Sequence, residues 1–285
     1  MNTVGIVGLG LIGGSMVKTI RANTEYRILG YDLNEAVIEQ SVKEGVLSAK
    51  LTYDNAKNCD IFIVALYPKD VVKTIRDYSI HLKKGAIVVD CTGVKGYVCR
   101  ELSKELLQSG IFFVGGHPMA GKEVAGYDNA DSLMYTNASM ILCRDSYTNE
   151  EAYKKAGAFF RKVGFKSIKE TTPEIHDRVI AYTSQMAHVV SNSYIKSPTL
   201  KERCGFSAGS FKDMTRVAYL NENMWTDLFL ENKDALVEEL DIFINNVTIL
   251  RDAINAKDAD KVREILRLGR ELKEQDEEVE ACHLH

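Results

Sequence analysis

Val4-Gly5-Ile6-Val7-Gly8-Leu9-Gly10-Leu11-Ile12-Gly13-Gly14-Ser15 opens the chain with a short apolar run, a Gly-x-Gly-x-x-Gly fingerprint and the start of a helix-like segment, Gly14 to Ala22. The order strand, glycines, helix gives the fingerprint its meaning. Gly8 permits a tight turn, Gly10 lets a pyrophosphate approach the backbone, and Gly13 lets helix pack closely on strand. Unpaired N–H groups at the helix start, around Leu11 and Ile12, face the phosphates. A second strand, Tyr26 to Tyr31, ends in Asp32, 22 positions after Gly10. An acid there accepts hydrogen bonds from the ribose hydroxyls of the adenosine half and repels a 2′-phosphate, and Leu33-Asn34 supplies no arginine to hold one. The cofactor expected is NAD rather than NADP.

The alternation continues through helix Glu35 to Glu44, strand Asp60 to Leu66, helix Lys69 to Tyr78, strand Ala86 to Cys91, helix Tyr97 to Gln108 and strand Ile111 to Val114. Alternating strands and helices imply a largely parallel, doubly wound Rossmann-type sheet. Ile61-Phe62-Ile63-Val64-Ala65-Leu66 is apolar without alternation, as expected of a strand covered on both faces. Each strand end offers a loop to the cofactor crevice, Leu66-Tyr67-Pro68 and Thr92-Gly93-Val94-Lys95 among them. After a less regular stretch, Glu123 to Asn137, come a strand Ala138 to Cys143, a helix opened by the capping box Thr148-Asn149-Glu150-Glu151, and a last strand Phe165 to Ile168.

Gly115-Gly116-His117-Pro118-Met119-Ala120-Gly121 reads as a glycine-flanked turn directly after the strand ending at Val114. Strand ends are where open α/β sheets do chemistry, and His117 is the group in that turn able to exchange a proton near neutral pH. A loop histidine without a task is the plainer reading, and geometry decides between them.

The pattern changes at Thr171-Thr172-Pro173. Thr172 suits an N-cap and Pro173 the first helical position, and no convincing strand follows. The expected division is therefore a dinucleotide-binding domain, 1–171, and an all-α domain, 172–285. The first helix of the second domain carries a stripe at Ile180, Thr183, Ala187, Val190 and Tyr194. A longer helix carries Leu236, Leu240, Phe243, Val247, Leu250 and Ile254 at spacings of four and three, with Ile242 and Ile249 beside them, a seam as regular as a coiled coil's. It suits a homodimer; an intrachain bundle core is the alternative. Asp258 to Glu280 has a thinner apolar pattern, and Cys282-His283-Leu284-His285 reads as a frayed end, not a metal site.

Composition excludes several classes. The 285 residues are 45% hydrophobic and 27% charged, an ordinary soluble balance. A net charge of -4, from 36 basic and 40 acidic side chains, gives no electrostatic reason to expect nucleic acid or an anionic membrane as partner. No apolar run is long enough to span a bilayer and no signal peptide opens the chain, so a cytoplasmic location is expected. Cys59, Cys91, Cys99, Cys143, Cys204 and Cys282 lack metal-site or CxxC spacing and suit reduced, packed thiols.

The glycine fingerprint, Gly116-His117-Pro118-Met119-Ala120-Gly121 with Glu123 and Gly126, and Phe211-Lys212-Asp213-Met214-Thr215-Arg216 followed by Met224-Trp225 and Glu231-Asn232-Lys233 together resemble the prephenate dehydrogenase family. That resemblance implies a Rossmann domain, a helical dimerisation domain and an active site between them. It also implies NAD-dependent oxidative decarboxylation of prephenate to 4-hydroxyphenylpyruvate and carbon dioxide; arogenate as the substrate, or another Rossmann-type dehydrogenase or imine reductase of a small acid, are the alternatives. By resemblance, His117 accepts the hydrogen bond of the ring hydroxyl. Arg216 binds a carboxylate, for which its planar fork is suited, and His188 contacts substrate with Gln185 one turn before it. A surface ion pair of Arg216 with Asp213 or Asp227, and a core role for His188, are the plainer readings of those residues. The chain departs from the family pattern at Gly93, where many members place a serine that bonds the catalytic histidine. Thr92 or a water is expected to supply the hydroxyl. With no chorismate mutase segment or regulatory domain in view, a monofunctional enzyme is expected.

Overall fold

The apolar strands lie side by side in one sheet with a hydrophobic core on each face. β1 (Thr3–Val7), β2 (Arg27–Tyr31), β3 (Ala49–Lys50), β4 (Ile61–Val64), β5 (Ile87–Asp90), β6 (Phe112–Pro118), β7 (Ser139–Cys143) and β8 (Ser167–Thr171) lie in the order β3-β2-β1-β4-β5-β6-β7-β8. The computed structural model describes residues 2–122, 124–206 and 208–283, with side chains up to 278. Glu123, Leu284 and His285, and the side chains of Glu280, Cys282 and His283, lie outside what is described.

All pairings are parallel except β6 with β7. Phe62 and Val64 enter one core with Val71, Val98 and Leu102, while Ile63 enters the other with Ile6, Met16 and Phe160. Both faces of β4 are thus dry, which is why its sequence does not alternate. β3 has only two residues at the sheet edge and no apolar run to announce it. The last strand lies slightly later than its apolar residues suggest, at Ser167–Thr171, half-exposed at the opposite edge.

β6 changes partner along its length. Phe112 to Val114 pair in parallel with β5, and Gly115 to Pro118 pair antiparallel with β7, His117 opposite Ile141. His117 therefore stands inside a strand, not in a turn after one, a correction to the sequence reading. Neither Gly115 nor Gly116 has positive φ. Their smallness serves packing: a Cβ on Gly116 would lie 2.5 Å from the Asp90 carbonyl oxygen and 2.7 Å from Met140 Cε. Gly116→Ala is expected to cost about 1–3 kcal/mol through overpacking, read as a lower urea midpoint at unchanged m-value.

The helix Glu150–Val163 is capped by Asn149, whose side chain accepts from the Ala152 N–H. Thr148 is not the cap; its hydroxyl bonds Asp145 instead, because the Asp145 turn competes for it. Thr172 caps the helix Pro173–Ile180 as the sequence indicates. That helix runs into a π-helical turn, Ala181–Gln185, and then Met186–Tyr194. The π turn inserts a residue into the helical repeat and slips the register of the inward face. Ile180, Ala181, Gln185, Met186 and Ser191 are buried, whereas Thr183, Ala187 and Tyr194 of the expected stripe are exposed.

Residues Met1–Ala235 form one compact unit, and those from Leu236 onward a second. The second contains most of the helix Lys233–Asn255, then a turn with Lys257 at φ 54° and the helix Ala259–His283. Within the seam Leu236 is buried, but Phe243, Val247 and Ile254 are 40%, 49% and 58% exposed. Among the described residues no helix is long and apolar enough to cross a membrane.

Candidate active site

The residues singled out in the first half of the chain collect at the C-terminal ends of the strands. Gly8 turns the chain at φ 89°, where a Cβ would strike the Ala65 carbonyl oxygen at 2.3 Å and Leu66 Cδ2 at 2.8 Å. A Cβ on Gly13 would lie 1.8 Å from the Gly8 carbonyl oxygen, so helix and loop meet only because it is absent. Gly10 differs: its Cβ would meet nothing within 4 Å. It precedes the helix Leu11–Asn23, and no side chain caps that helix. The first N–H groups there, around Leu11 and Ile12, are thus presented for an anion at the crevice between β1 and β4, where the strand order reverses.

Asp32 follows β2 and holds the loop. Its Oδ2 accepts from the Leu9 N–H at 2.7 Å and its Oδ1 from the Asn34 N–H at 2.9 Å. Leu66 touches the Gly8 turn, and Tyr67, 45% exposed, precedes the helix Pro68–Ser79. Open space at Gly10, an uncapped helix start and a carboxylate at the end of β2 together fit a dinucleotide.

Around His117 the side chains are tightly tied. Asp90 and Lys95 are fully buried and ion-paired. Lys95 Nζ also donates to the Thr92 hydroxyl at 2.9 Å and to the Gly116 carbonyl at 2.7 Å, while Asp90 Oδ1 accepts from the Gly116 N–H at 3.2 Å. The pair thereby fixes the strand residue just before His117. Thr92, bonded to Asp90, Lys95 and the Val94 carbonyl, has its hydroxyl engaged away from His117. His117 Nδ1 instead lies 2.9 Å from Nε2 of His176, whose Nδ1 lies 2.7 Å from Asp177 Oδ1. Gly93 borders the imidazole: its Cβ would stand 4.0 Å from His117 Cε1 and 3.2 Å from Leu228 Cδ2.

The helices after Pro173 contribute two clusters. Gln185 is buried, with Nε2 donating to the Leu228 carbonyl at 3.1 Å and Oε1 accepting from Asn232 Nδ2 at 2.8 Å. Asn232 Nδ2 also donates to the Asp177 carbonyl at 2.9 Å. Gln185 thus ties Leu228 to Asn232, which in turn holds the Asp177 carbonyl. His188 donates from Nδ1 to the Val217 carbonyl at 3.0 Å and lies against Trp225, ring centroids 3.9 Å apart. Arg216, exposed, begins the turn Arg216–Ala218 that contains this carbonyl, so His188 and Arg216 belong to one corner.

The family model for the nucleotide-binding domain of prephenate dehydrogenase matches residues 16–169, and that for its dimerization domain matches 172–268. The chain belongs to the prephenate dehydrogenase family. Cyclohexadienyl dehydrogenase of Zymomonas mobilis is 31% identical over 272 residues, 92% of this chain and 91% of its own. Prephenate dehydrogenase of Bacillus subtilis is 28% identical over 270 residues, 92% of this chain and 72% of its own. Among solved structures, prephenate dehydrogenase from Aquifex aeolicus in complex with hydroxyphenyl propionate and NAD+ superimposes with a TM-score of 0.83 at 27% identity, covering 98% of both chains.

In this prephenate dehydrogenase family member the sequence reading passes over His176 and Asp177, and it offers Lys95 and Asn232 only as members of a loop and of a motif, with no role of their own. The cue for His176-Asp177 is their place one turn inside a capped helix, but nothing in sequence says that this turn meets β6. Burial, then His176 and Lys95, hold the His117 imidazole well below the ordinary 6.5. Burial likewise lowers His176, against the opposing pull of Asp177. Both shifts favour the neutral form in the folded protein, so protonation favours the unfolded chain, which binds more protons as the pH falls below the ordinary histidine value. Stability is therefore expected to fall as pH drops below about 6.5 toward the lowered folded values, seen as a falling Tm. A reaction needing neutral His117 should keep its kcat/KM down to pH 6.5 and lose it only on further acidification, an expectation checked by a pH–rate profile.

Proposed function

We propose that this chain is an NAD-dependent dehydrogenase that oxidatively decarboxylates prephenate to 4-hydroxyphenylpyruvate, with carbon dioxide and NADH as the other products. The observation that carries the reading is His117 at the end of β6 with Nδ1 tied to His176, at the same strand ends as the open glycine turn at Gly10, in a buried setting that favours its neutral form. Family membership supplies the reaction class, and a relative solved with NAD+ supports the cofactor.

NAD+ would be held with its pyrophosphate at the uncapped helix start behind Gly10 and its ribose hydroxyls toward Asp32, and Leu66 and Tyr67 at the end of β4 would line the same crevice. Bound NAD+ supplies the hydride acceptor. His117 takes the proton of the ring hydroxyl at Nε2: the O–H bond breaks, an N–H bond forms, and the oxygen's electrons become the new C=O as hydride departs. Loss of the ring carboxylate as carbon dioxide then sends the electrons of the broken C–C bond through the ring to that oxygen and restores aromaticity, and the imidazolium returns its proton to the oxygen to give the phenol. Arg216 offers a fork of donors to a carboxylate of the substrate, and His188, held against Trp225, frames the same corner. Thr92 and Gln185 act through the scaffold, since their polar atoms are already engaged.

We assign residues 1–171 to cofactor binding and 172–285 to substrate binding and homodimerisation. The exposed apolar face of Phe243, Val247 and Ile254 supports a second copy as its cover, as does the match to a dimerization domain. Free thiols at Cys59, Cys99 and Cys143, all buried, suit a reducing cytoplasm. The test is NADH formation by the purified protein with prephenate and with arogenate in parallel, using NAD+ and NADP+. Turnover of prephenate with NAD+ supports the reading; turnover of arogenate alone changes the substrate and keeps the mechanism; turnover of neither rejects it.

A further inference from the structure

The resemblance to the family leaves a gap at His117, because the residue expected to bond it is Gly93. A serine Cβ there would press on Leu228 at 3.2 Å, and the Thr92 hydroxyl is spent on Asp90, Lys95 and the Val94 carbonyl. The imidazole is held from another side, and hydrogen-bond arithmetic fixes its protons.

Asp177 receives the Gly96 N–H on Oδ2 at 2.7 Å and the Lys95 N–H on Oδ1 at 2.7 Å. A carboxylate so engaged is an acceptor, and the 2.7 Å contact with His176 Nδ1 makes that nitrogen the donor. A neutral imidazole carries one N–H, so His176 Nε2 is a bare acceptor. The 2.9 Å contact between it and His117 Nδ1 is then a hydrogen bond only if His117 donates. The proton of neutral His117 sits on Nδ1, and Nε2 carries the lone pair a base requires. The assignment takes both rings in the neutral form, which their burial favours.

We propose that His176 and Asp177 are positioning residues which lock His117 in the tautomer whose Nε2 accepts the substrate's hydroxyl proton, a task the family pattern gives to a serine. This rests on the dehydrogenase reading for its consequence, though not for its geometry. When His117 gains its second proton, its Nδ1–H bond to His176 strengthens, and the Asp177 charge behind His176 favours the imidazolium. Asn232, bonded to the Asp177 carbonyl, and the first turn of the helix Gly96–Gln108 keep Asp177 in place.

Two measurements test the proposal. Long-range ¹H–¹⁵N correlation of the full-length protein with labelled histidines, at a pH above the histidine range, reads the tautomers directly. His117 and His176 should both show N–H at Nδ1; a proton on Nε2 of His117 overturns the proposal. The second is steady-state kinetics of His176→Leu and His176→Gln with NAD+ and prephenate. His176→Leu should lose about 10²-fold or more in kcat, with KM and NAD+ affinity within a few fold. His176→Gln, whose amide oxygen can accept the Nδ1–H bond, should retain more activity than His176→Leu. Undiminished kcat in His176→Leu overturns the proposal. If either variant fails to fold, the tautomers of the unaltered protein still decide. A protein that turns over no cyclohexadienyl acid rejects the dehydrogenase reading alone and leaves the tautomer result standing.

Discussion

His117→Asn lowers kcat with prephenate by about 10²- to 10⁴-fold while NAD+ affinity stays within a few fold. Asparagine fits the strand position opposite Ile141 and can still donate an N–H toward His176, so the fold and the glycine turn are untouched. It has no basic nitrogen, however, and the hydroxyl proton must then leave to water while hydride is departing. The loss should fall on kcat rather than on KM, because the interaction removed is stronger in the transition state than in the ground state. Titration of NAD+ against the single tryptophan, Trp225, supplies the binding arm. A variant with wild-type kcat would return His117 to the status of an ordinary strand residue.

The second large effect concerns stability. Lys95→Met should destabilise the protein by about 3–5 kcal/mol, a large share of a typical domain's stability. Lys95 and Asp90 are both fully buried, and Lys95 directs its ammonium at three acceptors: Asp90, Thr92 and the Gly116 carbonyl. Methionine fills the volume but leaves the Asp90 carboxylate without a counter-charge. Adding Asp90→Asn to Lys95→Met should recover much of the loss, since removing both charges is far cheaper than removing one. Urea denaturation of the two variants checks this, and equal midpoints for Lys95→Met and the unaltered protein would refute it. Because Lys95 and Asp90 grip both the N–H and the C=O of Gly116, Lys95→Met should also loosen His117 and lower kcat.

Much of this was legible in sequence because it is local. The turn at Gly8, the tight contact at Gly13 and the carboxylate at Asp32 follow from a spacing that geometry dictates, and each stands where the spacing puts it. Helices capped by Thr172 and begun by Pro173 are equally local. What escaped depends on contacts distant along the chain. β6 continues past Val114 because β7 pairs with it, His117 opposite Ile141 and Gly115 opposite Cys143, and no feature of Gly115-Gly116-His117 announces that partner. The glycines there suggest a turn, yet they are small because Asp90, Cys99 and Met140 crowd them. A π turn at Ala181–Gln185 displaced a helical stripe that assumed an unbroken repeat. His176 and Asp177 became visible only when the helix carrying them met the end of β6.

The most direct test of the whole account is the stoichiometry of the reaction itself: NADH followed by absorbance and carbon dioxide captured from the same vessel, with NAD+ and prephenate as the only reactants. The account predicts one carbon dioxide per NADH, 4-hydroxyphenylpyruvate as the organic product, and loss of both signals together in His117→Asn. NADH without carbon dioxide, or neither signal from a protein that binds NAD+, would contradict it.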